Sequence, residues 1–118
     1  MARLTTHVLD TANGVPARGV TVDLRRVETD GSRTPVLTSS VTDQDGRTGP
    51  LLHGDRIEPG IYELTFHVGQ YFAEKGSAVA DPPFLDDVIV RFGIADATGH
   101  YHVPLLVSPY GYSTYRGS

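Results

Sequence analysis

Five histidines, two arginines in suggestive settings and a serine at the last position are the side chains that could carry hydrolytic chemistry in this sequence. The histidines are His7, His53, His67, His100 and His102. An imidazole titrates at roughly pH 6.5, so a neutral ring can take a proton from water under ordinary conditions. His100 and His102 are two residues apart, the spacing that puts both on one face of a strand. With a third ligand such a pair could bind zinc, but no carboxylate or further ligand accompanies it at a fixed spacing. Arg47 follows an Asp-Gly turn in "DQDGRTG", where a guanidinium could polarise a carbonyl or hold a flat polar ligand. Taken singly, each has a plainer reading: a polar strand residue for a histidine, a solvated turn residue for Arg47. Cysteine is absent, which excludes thiolate nucleophiles, thiolate metal sites and disulfides. No G-x-S-x-G elbow is present, which argues against a serine hydrolase of that type.

The elements that must position these groups alternate with period two. "RLTTHVLD" sets Leu4, Thr6 and Val8 on one face and Thr5, His7 and Leu9 on the other. "GVTVDLRRV" points Val20, Val22 and Leu24 inward. "TPVLTSSVTD" reads as a third strand. "IYELTFHV" aligns Tyr62, Leu64, Phe66 and Val68 against Glu63, Thr65 and His67. "DVIVRFGIAD" aligns Val88, Val90, Phe92 and Ile94. "YHVPLLVSP" is the last clear strand, and its Pro104 predicts an edge position or a bulge. Turn signals separate these runs: "TANGVPARG", "ETDGSRTP", "DQDGRTGP", "HGDRIEPG" and "DATGH". Only "GQYFAEKGSA" has room for a helix, of about two turns, before "DPPF" breaks it. Seven or eight short strands at this spacing predict an all-β sandwich.

Composition narrows the classes of partner. The chain has 118 residues, 39% hydrophobic and 20% charged, which suits one domain over 1–118 with a real core. Its net charge of −4 gives no basic footprint for nucleic acid. No stretch approaches the roughly 18 apolar residues of a membrane helix, and "MARLTTHVLD" does not read as a signal peptide. The expectation is a soluble, cytoplasmic protein.

Four segments together carry a family resemblance: "RLTTHVLDTANGVPA", "TDQDGRTG", "GIYELTFHVGQYF" and "HYHVPLLVSPYGYSTYRGS". The chain resembles the 5-hydroxyisourate hydrolases, the transthyretin-related enzymes of purine breakdown, along essentially its whole length. The closing Tyr-Arg-Gly-Ser is the most specific element. The resemblance implies two four-stranded sheets with one short helix, assembled as a homotetramer (a dimer of dimers) around a central channel. It implies ring opening of 5-hydroxyisourate by water at an acyl C–N bond, without metal or cofactor. Matched to the family's motifs, His7, Arg47, His102 and Ser118 are the implied catalytic residues. His7, Arg47, Tyr115 and Arg116 are the implied substrate contacts. Either His7 or His102 could be the base, and Ser118 could act through its hydroxyl or a terminal carboxylate. The ending "YRGS" is then expected to wall the site instead of fraying. His53, His67 and His100 match no role. A transthyretin-like carrier that binds without turnover is the main rival, and a purely structural sandwich the second.

Overall fold

A computed structural model of the chain describes residues 1–77 and 80–117. The strands are β1 (Ala2–Asp10), β2 (Val15–Pro16), β3 (Thr21–Val27), β4 (Thr38–Val41), β5 (Leu52–Gly54), β6 (Gly60–Phe66), β7 (Val88–Ile94), β8 (His100–Ser108) and β9 (Gly111–Thr114). The one helix among the described residues, α1 (Val68–Glu74), overlaps the expected segment and begins one residue before it. One sheet has the order β2-β1-β8-β9 and the other β4-β3-β6-β7. Leu4, Val8, Leu105 and Val107 of the first and Val22, Leu24, Leu64 and Phe66 of the second are fully buried. They form the layer between the sheets, as period-two burial of one face requires.

The first sheet has four lanes, but the lane beside β1 is assembled from separate pieces. β5 pairs with Ala2, Arg3 and Leu4, and β2 pairs with Leu9 and Asp10. Between them a single bridge joins His7 to Arg47. The two- and three-residue strands β2 and β5 were too short to leave a periodic signal.

Two sequence expectations change. Pro104 does not mark an edge: β8 runs between β1 and β9, parallel to the first and antiparallel to the second. The register that pairs Leu105 with Thr114 sets Tyr115 opposite Pro104, and β9 ends at Thr114. Pairing resumes at Gly117, whose N–H donates to the His102 carbonyl at 2.8 Å. Proline has no N–H for the ladder, so the break in pairing falls where none is available. Glu63, expected outside, is only 4% exposed. Arg33 and Arg91 cover it, at 3.3 and 2.7 Å from its carboxylate oxygens.

Candidate active site

The site grows from the parallel pairing of β1 with β8, which sets Thr5 opposite His102 and His7 opposite Pro104. Leu4, Thr6 and Val8 face the core. Alternation therefore turns Thr5 and His7 outward, and His102 turns outward beside them. Strands a hundred residues apart in sequence thus deliver both imidazoles to one face.

Arg47 reaches that face on a tightly bonded turn. The Asp43 carboxylate accepts from the N–H groups of Asp45 and Arg47 at 2.9 and 3.1 Å, and Asp43 N–H donates to the Arg47 carbonyl at 2.8 Å. The turn docks on β1 where Val8 N–H donates to the Gly46 carbonyl at 2.7 Å. Gly46 has φ +77°, and a Cβ there would lie 2.3 Å from the Val8 carbonyl oxygen. Only glycine permits both the conformation and the approach. This is the physical content of the Asp-Gly-Arg spacing.

Each ring is pinned differently. His7 Nε2 lies 2.8 Å from the Asp45 carbonyl oxygen. A carbonyl only accepts, so Nε2 carries the hydrogen and Nδ1 of the neutral ring carries the lone pair. His102 Nδ1 lies 2.8 Å from Thr5 Oγ1. Gly117 packs on the other edge of the His102 ring, where a Cβ would come within 2.6 Å of Cδ2. Burial, with the charges of Arg47 and His7 adding to it, lowers the His102 pKa. His102 is therefore neutral at neutral pH, as a base must be.

Arg3, Thr5, Arg47, Thr48, His100 and His102 line a cleft of about 440 Å³ on this face. No Asp or Glu is among its lining residues. A wider hollow of about 630 Å³, lined in part by Arg26, Glu28 and Arg91, lies elsewhere and holds no histidine. Chemistry, not volume, singles out the smaller cleft.

The other sequence candidates sit apart from it. The Arg116 guanidinium stacks on the Tyr101 ring at 4.1 Å and donates to the His100 carbonyl at 3.1 Å. Arg116 and the exposed Tyr115 line a neighbouring groove of about 240 Å³ together with Phe92 and Val103. Arg116 thereby anchors the segment that lays Gly117 against His102. Ser118 lies outside the described residues. His100 lines the cleft, but its Nε2 is held by the Met1 carbonyl at 2.5 Å. Among the described residues no three His, Cys, Asp or Glu side chains converge as metal ligands. His53 is exposed on β5. His67 lies on the other sheet, between Asp23 and Asp87. Sequence reasoning gave no role to Thr5, and included Gly117 only as part of the "YRGS" ending expected to wall the site. The one available signal was that Thr5 shares the outward face of β1 with His7.

The model of the HIUase/Transthyretin family matches residues 4–117. The chain belongs to that family. Among its relatives is a 5-hydroxyisourate hydrolase from Deinococcus radiodurans, 61% identical over 98% of this chain and 95% of that protein. A solved 5-hydroxyisourate hydrolase from Klebsiella pneumoniae superposes with a TM-score of 0.80 at 36% identity, over 100% of this chain and 94% of the other. Sea bream transthyretin in complex with thyroxine superposes with a TM-score of 0.85 at 28% identity, covering 98% and 94%. Proteins named as hydrolases and a transthyretin in complex with thyroxine thus share one fold, so fold alone does not choose between turnover and carriage.

Proposed function

We propose that this member of the family hydrolyses 5-hydroxyisourate to 2-oxo-4-hydroxy-4-carboxy-5-ureidoimidazoline, a step of urate degradation. The observation that carries the reading is the convergence of His7, Arg47 and His102 on one face, reached from β1, the Asp43 turn and β8. The names of close full-length relatives support the same substrate.

The chemistry follows from the groups present. Water adds to the ring carbonyl carbon while a neutral histidine takes its proton. Negative charge gathers on the carbonyl oxygen, where the Arg47 guanidinium stabilises it. The C–N bond then breaks and the imidazolium returns its proton to the leaving nitrogen. One water has been added, and a carboxylic acid has formed that ionises at neutral pH. No step requires a metal or cofactor. Arg47, with two hydrogen-bonding edges, also orients the flat ureide. Tyr115 and Arg116 shape the approach from the adjacent groove. For Ser118 the reading keeps the catalytic role that the family resemblance implies, through its hydroxyl or a terminal carboxylate. The chain acts as one domain within a homotetramer in the cytoplasm; no helix among the described residues is long and apolar enough to cross a membrane. Nucleic acid is not a partner in this reading.

The test is direct. 5-Hydroxyisourate is generated from urate in the cuvette, and its absorbance decay is followed with and without the protein. Faster decay is expected. Decay at the spontaneous rate, with retained binding, would favour the carrier instead.

A further inference from the structure

We infer that Thr5 is a positioning residue that fixes the tautomer of His102, so that the nitrogen offered to the attacking water is Nε2. The inference rests on the hydrolase reading above and adds to it which histidine is the base and what holds it in that form. Thr5 and His102 stand opposite each other in the β1–β8 register, with Thr5 Oγ1 2.8 Å from Nδ1. Gly117 closes off the Cδ2 edge of the ring. Nε2 has no hydrogen-bond partner among the described residues, and His102 lines the cleft. The ring is thus held at two of its edges, with one nitrogen left for chemistry.

A hydroxyl can donate or accept, so the Oγ1 contact alone does not choose the tautomer. The cleft decides it. Nε2 is the ring nitrogen without a partner among the described residues, so a base acting on water in the cleft must carry its lone pair there. The proton of the neutral ring then sits on Nδ1 and is donated to Thr5 Oγ1. His7 is locked the opposite way, with its hydrogen on Nε2. The two rings are not interchangeable: His102 presents an Nε2 lone pair toward the cleft. A partner on the far nitrogen that sets tautomer and orientation is the general device by which imidazoles are prepared for a role.

The charged and titratable groups around His102 are Arg3 and His7 from β1, Arg47 from the Asp43 turn and His100 from β8. Among the described residues that line the cleft none is a carboxylate, so none of them competes with Thr5 for the Nδ1 proton.

The test is long-range proton–nitrogen NMR on the full chain labelled with 15N-histidine, combined with steady-state kinetics. In the wild type near neutral pH, His102 is expected to show a protonated Nδ1 and an unprotonated Nε2. Thr5→Val keeps the shape of the side chain and removes Oγ1. It should mix the tautomers, lower kcat about tenfold with KM changed less than about twofold, and move the acidic limb of the pH–rate profile. Thr5→Ser should restore the wild-type spectrum and most of kcat. A wild-type His102 protonated on Nε2 overturns the inference without any variant, as does a folded Thr5→Val protein with wild-type kcat and pH profile. A wild-type protein that shows the expected tautomer but no turnover would instead sink the hydrolase reading.

Discussion

An alanine at position 117 would place a methyl carbon 2.6 Å from Cδ2 of His102. Either the ring or the segment Tyr115–Gly117 must then shift. Displacement of a reacting group by about 1 Å can cost on the order of 10²-fold in rate. Gly117→Ala should therefore reduce kcat/KM by about that factor with little change in melting temperature, since the sheet core ends at Val107. A normal rate would show that the ring is not held from this side. Direct removal of the chemistry is a separate test. His7→Ala, Arg47→Ala and His102→Ala should each lower kcat/KM by roughly 10²-fold or more. The His7 and His102 double replacement should cost far less than the product of the single effects, because the groups act as a unit. His53→Ala serves as the control and should be silent. His7, Arg47 and His102 were picked out by the family resemblance, since taken singly each had a plainer reading. Thr5 was not, because its contact is with a residue 97 positions away, and Gly117 came only with the "YRGS" ending, because its packing on the His102 ring depends on the lack of a side chain.

At the scale of elements, the second sheet carries a titratable clasp. His67, between β6 and α1, holds Asp23 of β3 at 2.8 Å through Nε2 and Asp87, just before β7, at 2.9 Å through Nδ1. Both ring nitrogens face carboxylates, so the ring is an imidazolium. Burial opposes its charge, but the hydrogen bonds and charges of Asp23 and Asp87 outweigh it and raise the pKa. Burial likewise opposes ionisation of Asp23, and its bonds to His67 and Ser39 outweigh that and lower its pKa. The His67 contribution is therefore full below the unfolded value of about 6.5 and is lost as pH rises through the higher folded value. The Asp23 contribution runs the other way, lost as pH falls through its lowered value. Chemical denaturation at pH 6 and pH 9 should show stability falling more toward the higher pH in the wild type than in His67→Gln, which keeps the opposite contribution of His102. An equal slope in both proteins would remove His67 as the cause. Alternation had placed His67 and Asp23 correctly on outward faces, but a clasp between three elements has no sequence period. The same limit hid the lane built from β5, Arg47 and β2, and the burial of Glu63 under two arginines.

For the whole molecule, the sandwich class was readable because half-buried strands impose period two on their residues. The proposed homotetramer came from the family resemblance alone, since period two says nothing of which surfaces pair. Exposed surfaces of the structure support that proposal. β7 and β9 each form one outer edge of their sheet, with β4 and the β2/β5 lane at the opposite edges, and every residue of β9 is exposed. Tyr110, Tyr112 and Tyr115 are 65%, 47% and 60% exposed beside that edge, and Phe84 packs against Tyr110 with ring centres 6.1 Å apart. An open strand edge flanked by aromatic rings is a pairing surface, and a lone chain does nothing to blunt it. Pairing of β9 with its copy would continue the sheet that carries His7 and His102, and a second contact between such dimers closes a symmetric tetramer. Light scattering should accordingly return about four times the 12.8 kDa chain mass. Tyr112→Lys, which puts a charge on that edge, should lower the mass toward the monomer and lower turnover with it, because the segment carrying Gly117 continues from β9. A wild-type monomer with full activity would refute the tetramer, and a Tyr112→Lys protein that remains tetrameric would place the interface elsewhere.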